Sequence, residues 1–298
     1  MSTSADLTLD RLRQDLREFA RLSEARYVPA AVDPVLDALA ELWTSSWIGV
    51  RTTTHPVGQR EVSARLMNSS PTADPVGTLR DAGLLTFTGH PMEKLLTEIP
   101  AAVPVRWGVD LAVATGVQKI WLVFPELLTV RRMLGFSGVP AAAGTHAEHL
   151  TRYGGDIGMM AIDFVSHTMN WYSRVLTPGE LTPSDIVTIL RELNFAPAAD
   201  EELALFARTF NAYRTFSWNS PDIQRICFPV RSDAAGFPTH LDPVLERFVT
   251  GAPYADTGPR GFVFYTAYGP TGRYYKVQAD YTSALNATFP GGTRPPMQ

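Results

Sequence analysis

Basic side chains recur on one face of several segments in which polar and apolar residues alternate. Four such segments each place one cation on the same predicted side: Arg65, Lys119, Arg225 and Lys276. The same side carries amide and aromatic residues: Trp121, Asn170, Tyr172, Tyr213, Tyr274 and Gln278. Successive side chains of a strand point to opposite sides of a sheet, so these groups are expected to converge. Converging ammonium and guanidinium groups bind an anion and stabilise negative charge that develops on it.

Five pairs of strand-like segments carry these faces. The pairs are Ser46–Thr53 with Glu61–Met67, Arg106–Ala114 with Gln118–Phe124, Asp156–Phe164 with Thr168–Arg174, Asn211–Trp218 with Gln224–Arg231, and Gly261–Tyr268 with Arg273–Tyr281. Helical patterns lie between them, at Leu7–Leu22, Asp33–Leu42, Pro91–Ile99, Glu126–Leu134, Pro183–Leu193, Asp200–Phe210 and Leu241–Val249. This recurrence of helices followed by a hairpin is typical of repeated architecture. Because no linker rich in Pro, Gly or Ser divides the chain, we expect a single domain over residues 1–298, with a disordered tail from about residue 290.

Two architectures fit this order. The second face of the segments is apolar, as in Val62, Ala64 and Leu66, and is the face that helices would cover. In an open sheet the basic face would be ordinary surface, where scattered Lys and Arg need no explanation. In a closed barrel it would line a polar lumen. Large aromatic residues such as Trp121 and Tyr213 favour the closed form, so we predict an α/β (α+β) fold, a ten-stranded antiparallel β-barrel of repeated αββα units surrounded by a ring of α-helices.

The composition excludes several classes of protein. The formal net charge of −4 over 298 residues argues against a nucleic-acid partner. A single cysteine, Cys227, excludes an intramolecular disulfide and a cysteine-based zinc cluster, which fits a reducing compartment. No apolar run approaches the roughly 20 residues that a membrane helix needs, and the N-terminal residues lack a signal-peptide core. We therefore expect a soluble, cytoplasmic protein that binds neither nucleic acid nor membranes.

Motifs for other chemistries are incomplete. His146 and His149 could share one helix face as metal ligands, but a third ligand is missing. The segment 135–138 lacks the spacing of a nucleophile elbow, and neither GxxxxGKS/T nor GxGxxG occurs. Cys227 shares the inward face with Arg225 and is expected to line the lumen rather than to act as a nucleophile.

Short segments along the chain match those of a known family in order and spacing. They are Phe87-Thr88-Gly89-His90-Pro91, Gln118-Lys119-Ile120-Trp121, Phe124-Pro125, Arg152-Tyr153-Gly154, Asp163-Phe164, Asn170-Trp171-Tyr172, Leu190-Arg191-Glu192-Leu193, Ser217-Trp218, Ile223-Gln224-Arg225-Ile226-Cys227-Phe228 and Tyr274-Tyr275-Lys276. Through them the chain resembles, nearly end to end, the bacterial aromatic prenyltransferases of the αββα-repeat (ABBA) barrel, enzymes of secondary metabolism in aminocoumarin, naphthoquinone and phenazine meroterpenoid pathways. The resemblance implies transfer of an isoprenyl group from its diphosphate to an electron-rich aromatic small molecule by Friedel–Crafts-type alkylation.

The resemblance also implies roles for individual residues. The diphosphate would be held by Lys119, Asn170, Arg225 and Lys276, with Tyr172 and Tyr213 nearby. Family members that use magnesium carry an aspartate where this sequence has Ser63. Arg65, together with Arg51 on the preceding strand, resembles the guanidinium groups that replace the metal in other members, so we expect no magnesium requirement and no other cofactor. The acceptor side of the cavity would be lined by Trp121, Met159, Cys227, Tyr274 and Gln278.

The chemistry sets further demands on the site. An allylic cation must be shielded from water, and aromatic rings stabilise it. Dimethylallyl and geranyl diphosphate both fit as donors, and the bulky Trp121 favours the shorter one. A group must also remove the ring proton after alkylation. Asp110, Asp163 and Asp280 share strand faces with the inward set but could equally pair with cations, and water or released diphosphate could serve, so no base is assigned.

Two other functions stay open. The barrel could bind an anionic aromatic metabolite without catalysis, or an open sheet could serve a structural role. Cations on four hairpins favour ionisation chemistry over storage of a neutral ligand. The expected partners are therefore a prenyl diphosphate and an aromatic small molecule, bound by a monomer.

Overall fold

Ten antiparallel strands form a closed barrel. The computed structural model describes residues 7–67, 70, 72–173, 176–177 and 179–283. Its strands are β1 (Trp47–Thr53), β2 (Val62–Met67), β3 (Arg106–Ala112), β4 (Gly116–Leu128), β5 (Ile157–Asp163), β6 (Thr168–Ser173), β7 (Tyr213–Ser217), β8 (Arg225–Ser232), β9 (Phe262–Gly269) and β10 (Gly272–Asp280). They follow the order β1-β10-β9-β8-β7-β6-β5-β4-β3-β2, and β1 also pairs with β2 to close the ring. The predicted barrel is confirmed and the open sheet is excluded; the predicted tail from about residue 290 lies outside the described residues.

Helices cover the outside of the barrel. They are α1 (Leu9–Ser23), α2 (Pro29–Ala38), α3 (Ala40–Ser45), α4 (Pro75–Asp81), α5 (Pro91–Ala102), α6 (Val130–Met133), α7 (Ala141–Thr145), α8 (Ala147–Tyr153), α9 (Pro183–Glu192), α10 (Asp200–Phe206) and α11 (Pro243–Gly251). Within the described ranges, none of these helices has the length and apolar character needed to cross a membrane. The sequence patterns missed α4, α7 and α8, which span only five to seven residues each and are too short for a clear helical period.

Helix α1 illustrates how the outer layer is built. The side chain of Thr8 accepts a hydrogen bond from the backbone N–H of Arg11 (3.3 Å) and caps the start of the helix. Leu12 and Phe19 lie seven residues apart on one face and are fully buried. The ring of Phe19 lies 5.3 Å from that of Phe248 in α11. The helices therefore pack on one another as well as on the strands.

The buried residues form two separate groups, one on the outer face of the strands and one on the inner face. The outer group lies between the barrel and the helices and contains the predicted apolar face, including Val62, Ile120, Met160 and Val277. The inner group fills part of the lumen and consists of Trp121, Ala161, Tyr172, Tyr213, Cys227, Val263, Tyr265 and Ala267, with Met67, Met159, Phe210 and Tyr274 against it. The predicted division into an outward apolar face and an inward mixed face is confirmed.

Strand β4 extends further than the sequence predicts. The periodicity predicts a helix over Glu126–Leu134, but β4 continues to Leu128 and the helix spans only Val130–Met133. Leu128 still pairs with Ile157 of β5, beyond an irregularity in the register. Pairing with the neighbouring strand therefore overrides the local helical pattern, and Thr129 caps the short helix that follows.

The two kinds of connection between strands lie at opposite ends of the barrel. Neighbouring strands are antiparallel and follow one another along the chain, so the five hairpin turns lie at one end and the helical connections lie at the other. The register places Arg51 opposite Ser63 between β1 and β2, and Arg65 opposite Asp110 between β2 and β3. These pairings decide which inward side chains meet inside the lumen.

Candidate active site

A cavity of about 820 Å³ opens at the end of the barrel that carries the hairpin turns. Turn residues such as His55, Val165 and Thr271 border it, and strand residues line it below them. Its charged lining consists of the cations Arg51, Lys119, Arg225, Arg273 and Lys276 and the carboxylates Glu61 and Asp163. This excess of basic side chains creates a positive potential that favours an anionic ligand.

Arg225 and Lys276 face the cavity with phenols as their partners. Arg225 Nη1 donates to the hydroxyl of Tyr274 (3.1 Å), and Lys276 Nζ donates to the hydroxyl of Tyr213 (2.7 Å). Neither cation forms a salt bridge with a carboxylate of the described residues. Burial, together with the cations Arg225 and Arg51, lowers the pKa of Lys276 well below its usual value. An anionic ligand would supply the missing counter-charge.

Lys119 and Asn170 complete the polar wall on the opposite strands. Lys119 Nζ lies 3.0 Å from Asp163 Oδ2. Asp163 Oδ1 also accepts hydrogen bonds from two backbone N–H groups of the β5–β6 turn, so this carboxylate is fixed in place. The amide oxygen of Asn170 accepts a hydrogen bond from Thr215 Oγ1 (2.5 Å), which leaves the NH₂ group of Asn170 as a donor for a ligand.

Arg51 points into the cavity from β1, as predicted. Its Nη2 donates to Ser63 Oγ (3.2 Å) and lies 3.6 Å from Asp110 Oδ2. The guanidinium therefore lies beside the hydroxyl of Ser63. The nearby carboxylate of Asp110 is already engaged by basic and indole donors, and the described part of the chain brings together no group of three or more His, Cys, Asp or Glu side chains able to hold a metal ion.

Arg65 lies deeper in the lumen, outside the residues that line the cavity, and its contact with the diphosphate stays a prediction. Its Nε and Nη2 donate to the two carboxylate oxygens of Asp110 (2.8 and 3.1 Å). Its guanidinium lies 3.8 Å from the ring centroid of Trp121, whose Nε1 donates to the same carboxylate (2.8 Å). Burial alone would raise the pKa of Asp110, but Arg65 and Arg51 outweigh it and hold that pKa below its usual value. The register places Arg65 opposite Asp110, and the carboxylate engages the guanidinium in a bidentate pair.

The predicted aromatic residues occupy two depths. Tyr172, Tyr213 and Tyr274 line the cavity, and the rings of Tyr172 and Tyr213 stack with centroids 4.5 Å apart. Four other predicted acceptor residues lie below it and do not line it: Trp121, Met159, Cys227 and Gln278. The ring of Trp121 lies 4.9 Å from that of Tyr172, so it forms part of the inner cluster beneath the cavity. Gln278 accepts a hydrogen bond from Arg65 (3.3 Å).

Tyr265 and His55 are among the site residues that the sequence patterns missed. Tyr265 belongs to the inner cluster and lies opposite Lys276 across β9 and β10. Its strand is apolar on both faces, so the alternation of residue types does not predict which way Tyr265 points. Its position opposite Lys276 would have predicted an inward direction. His55 borders the cavity just after β1, outside the alternating segment, and its ring packs against that of Tyr274 with centroids 4.0 Å apart.

The three inward aspartates all pair with cations. Asp110 binds Arg65, Asp163 binds Lys119, and Asp280 lies 3.0 Å from Arg231. The His146 and His149 pair lies on α8 and its start, outside the barrel. There His149 Nδ1 lies 3.2 Å from Glu192, and burial and the nearby Arg214 lower the pKa of His149 to about 4. The three aspartates and His149 are therefore engaged in contacts within the protein.

Comparison with known sequences gives matches over nearly the whole chain. The family described as "Aromatic prenyltransferase Orf2" matches residues 7–291. The 5,10-dihydrophenazine-1-carboxylate 9-dimethylallyltransferase of Streptomyces anulatus is 28% identical over 284 residues, covering 93% of this chain and 94% of the relative. The flaviolin linalyltransferase of Streptomyces virginiae is 27% identical over 303 residues, covering 98% and 99%. A furaquinocin biosynthesis prenyltransferase of a Streptomyces strain is 28% identical over 286 residues, covering 92% of each.

Solved structures share the fold at low sequence identity. The 5-dimethylallyl tryptophan synthase of Streptomyces coelicolor, solved with DMASPP and Trp, superposes with a TM-score of 0.60 at 15% identity over 96% of each chain. The 6-dimethylallyltryptophan synthase of Micromonospora olivasterospora gives a TM-score of 0.56 at 11% identity, covering 92% of this chain and 98% of that one. These similarities support the barrel architecture.

Proposed function

The chain belongs to the aromatic prenyltransferase Orf2 family and is an aromatic prenyltransferase, and we propose that its cavity binds the diphosphate of an allylic donor through four cations, Arg51, Lys119, Arg225 and Lys276. The observation that carries this assignment is the convergence of these cations from four strands onto one cavity. Two of them, Arg225 and Lys276, have only phenolic partners among the contacts described, so they are available to an anionic ligand.

Ionisation of the donor explains why several cations are needed. When the C–O bond of an allylic diphosphate breaks heterolytically, its electron pair stays with the diphosphate, and negative charge on the leaving group increases. Cations that are already in place stabilise this state without reorganisation. Tyr274 and Tyr213 orient Arg225 and Lys276, and Asn170 adds a neutral donor beside them.

The aromatic part of the cavity suits the other half of the reaction. The stacked rings of Tyr172 and Tyr213 lie next to the cationic group and can stabilise the allylic cation through their π faces. An electron-rich ring carbon of the acceptor then attacks the cation, and a C–C bond forms. Enclosure by the barrel limits access of water, which would otherwise trap the cation as an alcohol.

We further propose that the reaction needs no magnesium. Arg51 lies beside Ser63, where the metal-using members of the family carry an aspartate, and its guanidinium supplies fixed positive charge at that point. The named relatives include a dimethylallyltransferase acting on a dihydrophenazine carboxylate and a linalyltransferase acting on flaviolin. We propose a dimethylallyl or geranyl donor and a phenazine or polyhydroxylated naphthalene acceptor, used in secondary metabolism. We also propose that the protein acts as a monomer.

The test is prenyl transfer by the purified protein from dimethylallyl and geranyl diphosphate to a panel of phenols, naphthols, phenazines and indoles. Each reaction is run once with magnesium and once with EDTA, and products are detected by mass spectrometry. We expect product in EDTA. Product only with magnesium would contradict the proposed role of Arg51 and Ser63. Binding of the diphosphate without turnover of any acceptor would instead support a non-catalytic barrel.

A further inference from the structure

His55 lies at the wall of the cavity against Tyr274. It follows β1 at the hairpin-turn end of the barrel, borders the cavity, and is half-buried. Its ring packs against that of Tyr274 in a tilted arrangement, with centroids 4.0 Å apart and an angle of 34° between the planes. The hydroxyl of Tyr274 is in turn held by Arg225. The imidazole is therefore positioned next to the cations that are proposed to bind the diphosphate.

The ring nitrogens of His55 are available for proton transfer. Its backbone carbonyl accepts a hydrogen bond from Arg60, but neither ring nitrogen has a hydrogen bond or ion pair with any residue of the described ranges. The charged and titratable groups that face it are Lys276 and Tyr274 from β10, Arg225 from β8, and Glu61 before β2. Burial, followed by the charges of Lys276 and Arg225, lowers the pKa of His55 from 6.5, while Glu61 opposes this shift. The imidazole is therefore a neutral base near pH 7.

Other groups in the cavity are poorly suited to accept a proton. Asp163 is held by Lys119 and by backbone N–H groups; burial would raise its pKa, but these partners outweigh it and lower that pKa. Glu61 accepts a hydrogen bond from Gln118 Nε2 (3.2 Å) at the edge of the site. Burial raises the pKa of Tyr172, which therefore stays protonated. Unlike Asp163 and Glu61, His55 keeps its basic nitrogens without a hydrogen-bond partner in the described ranges.

We propose that His55 is the catalytic base that removes the proton from the alkylated ring carbon of the acceptor. This inference rests on the proposed function. The C–O bond of the donor breaks with its electron pair going to the diphosphate, and a C–C bond forms between the allylic cation and the acceptor ring. The C–H bond at that ring carbon then breaks, its electron pair restores aromaticity, and the proton goes to a ring nitrogen of His55. The imidazolium returns its proton to diphosphate or water as the products leave.

The change of charge on the diphosphate during the reaction favours this proton transfer after ionisation. Before ionisation, the cations around His55 disfavour an imidazolium. After ionisation, the diphosphate carries more negative charge and offsets those cations, so His55 becomes a stronger base when the ring proton must leave. A general base placed in this way contributes about 100-fold to 10,000-fold in rate.

The test uses His55→Phe, which keeps an aromatic ring against Tyr274 but removes both nitrogens. The panel acceptor that the native protein turns over fastest is prepared with deuterium on its ring carbons. We expect kcat of the variant to fall about 100-fold with the KM for the donor unchanged. We also expect a primary isotope effect that is absent or small in the native protein, because proton removal becomes rate-limiting. His55→Gln provides a second variant without a basic nitrogen if the first does not fold.

The pH profile and a matched control complete the experiment. In the native protein, kcat should fall as the pH drops through the lowered pKa of His55, below 6.5, and this acidic limb should disappear in His55→Phe. His167→Asn is the control, because His167 stacks on His90 and does not line the cavity. Native kcat without an isotope effect in both His55 variants, or a loss confined to the KM for the donor, would overturn the proposal. Failure of the native protein to prenylate any acceptor would overturn the proposed function instead.

Discussion

The lumen of the barrel contains two layers, a mouth and an inner layer, and two cations of each are held in opposite ways. At the mouth, Arg225 and Lys276 face the cavity with phenol hydroxyls as partners. Deeper in the lumen, Arg65 forms a bidentate pair with Asp110, and Arg231 pairs with Asp280. Both layers lie on inward faces of barrel strands. A carboxylate partner therefore separates Arg65 and Arg231 from Arg225 and Lys276 more clearly than residue type or strand face, although Lys119 at the mouth also pairs with Asp163.

This difference separates structural cations from functional ones. A buried ion pair is costly to break, because removing one member leaves an uncompensated charge inside the protein. A cation without a carboxylate destabilises the folded chain, but its charge remains available to an anionic ligand. We therefore expect substitutions in the inner layer to change stability and substitutions at the mouth to change catalysis.

The largest expected effect is on the stability of Arg65→Met. This change leaves the carboxylate of Asp110 buried, with only the indole N–H of Trp121 and the more distant Arg51 beside it. We expect the free energy of unfolding to fall by about 3 to 5 kcal/mol, measured by urea denaturation. The double variant Arg65→Met with Asp110→Leu should recover part of this loss. An unchanged unfolding free energy with a large loss of turnover would place Arg65 in the diphosphate site after all.

Arg225→Met should show the opposite pattern. The substitution removes a cation from the cavity without leaving a carboxylate unpaired, so the unfolding free energy should not fall. We expect kcat for prenyl transfer to fall about 100-fold to 1,000-fold, because negative charge on the leaving diphosphate loses one fixed donor. Arg225→Lys keeps the charge but not the forked geometry and should retain more activity. Native turnover by Arg225→Met would contradict the assignment of this residue to the diphosphate.

The alternation of residue types predicted the barrel and the direction of its inward side chains. The sequence of each strand shows which residues lie on which face, because one face packs against helices and the other does not. Depth and partners do not follow from alternation. Arg65 points inward as predicted, but its role depends on the register between β2 and β3, which places Asp110 opposite it. A pattern within one strand contains no information about that register.

Other parts of the site lie outside any periodic pattern. His55 belongs to a turn, where successive side chains have no fixed direction, and Tyr265 lies in a strand that is apolar on both faces. Similarly, β4 replaces part of a predicted helix because pairing with β5 extends it to Leu128. The single-domain organisation, the monomeric state and a cytoplasmic location stay predictions.

The smallest expected effect concerns Trp121, which acts in the inner layer through its volume. Its ring is fully buried beneath Tyr172, so Trp121→Phe would enlarge the lumen below the cavity. We expect kcat/KM for geranyl relative to dimethylallyl diphosphate to rise about tenfold, because a longer tail gains apolar contact there. The matched control is Trp171→Phe, since Trp171 is equally buried on the outer face of β6 and should leave the ratio unchanged. The same ratio in both variants would mean that the donor tail does not reach the inner layer, and that this layer serves only to hold the barrel together.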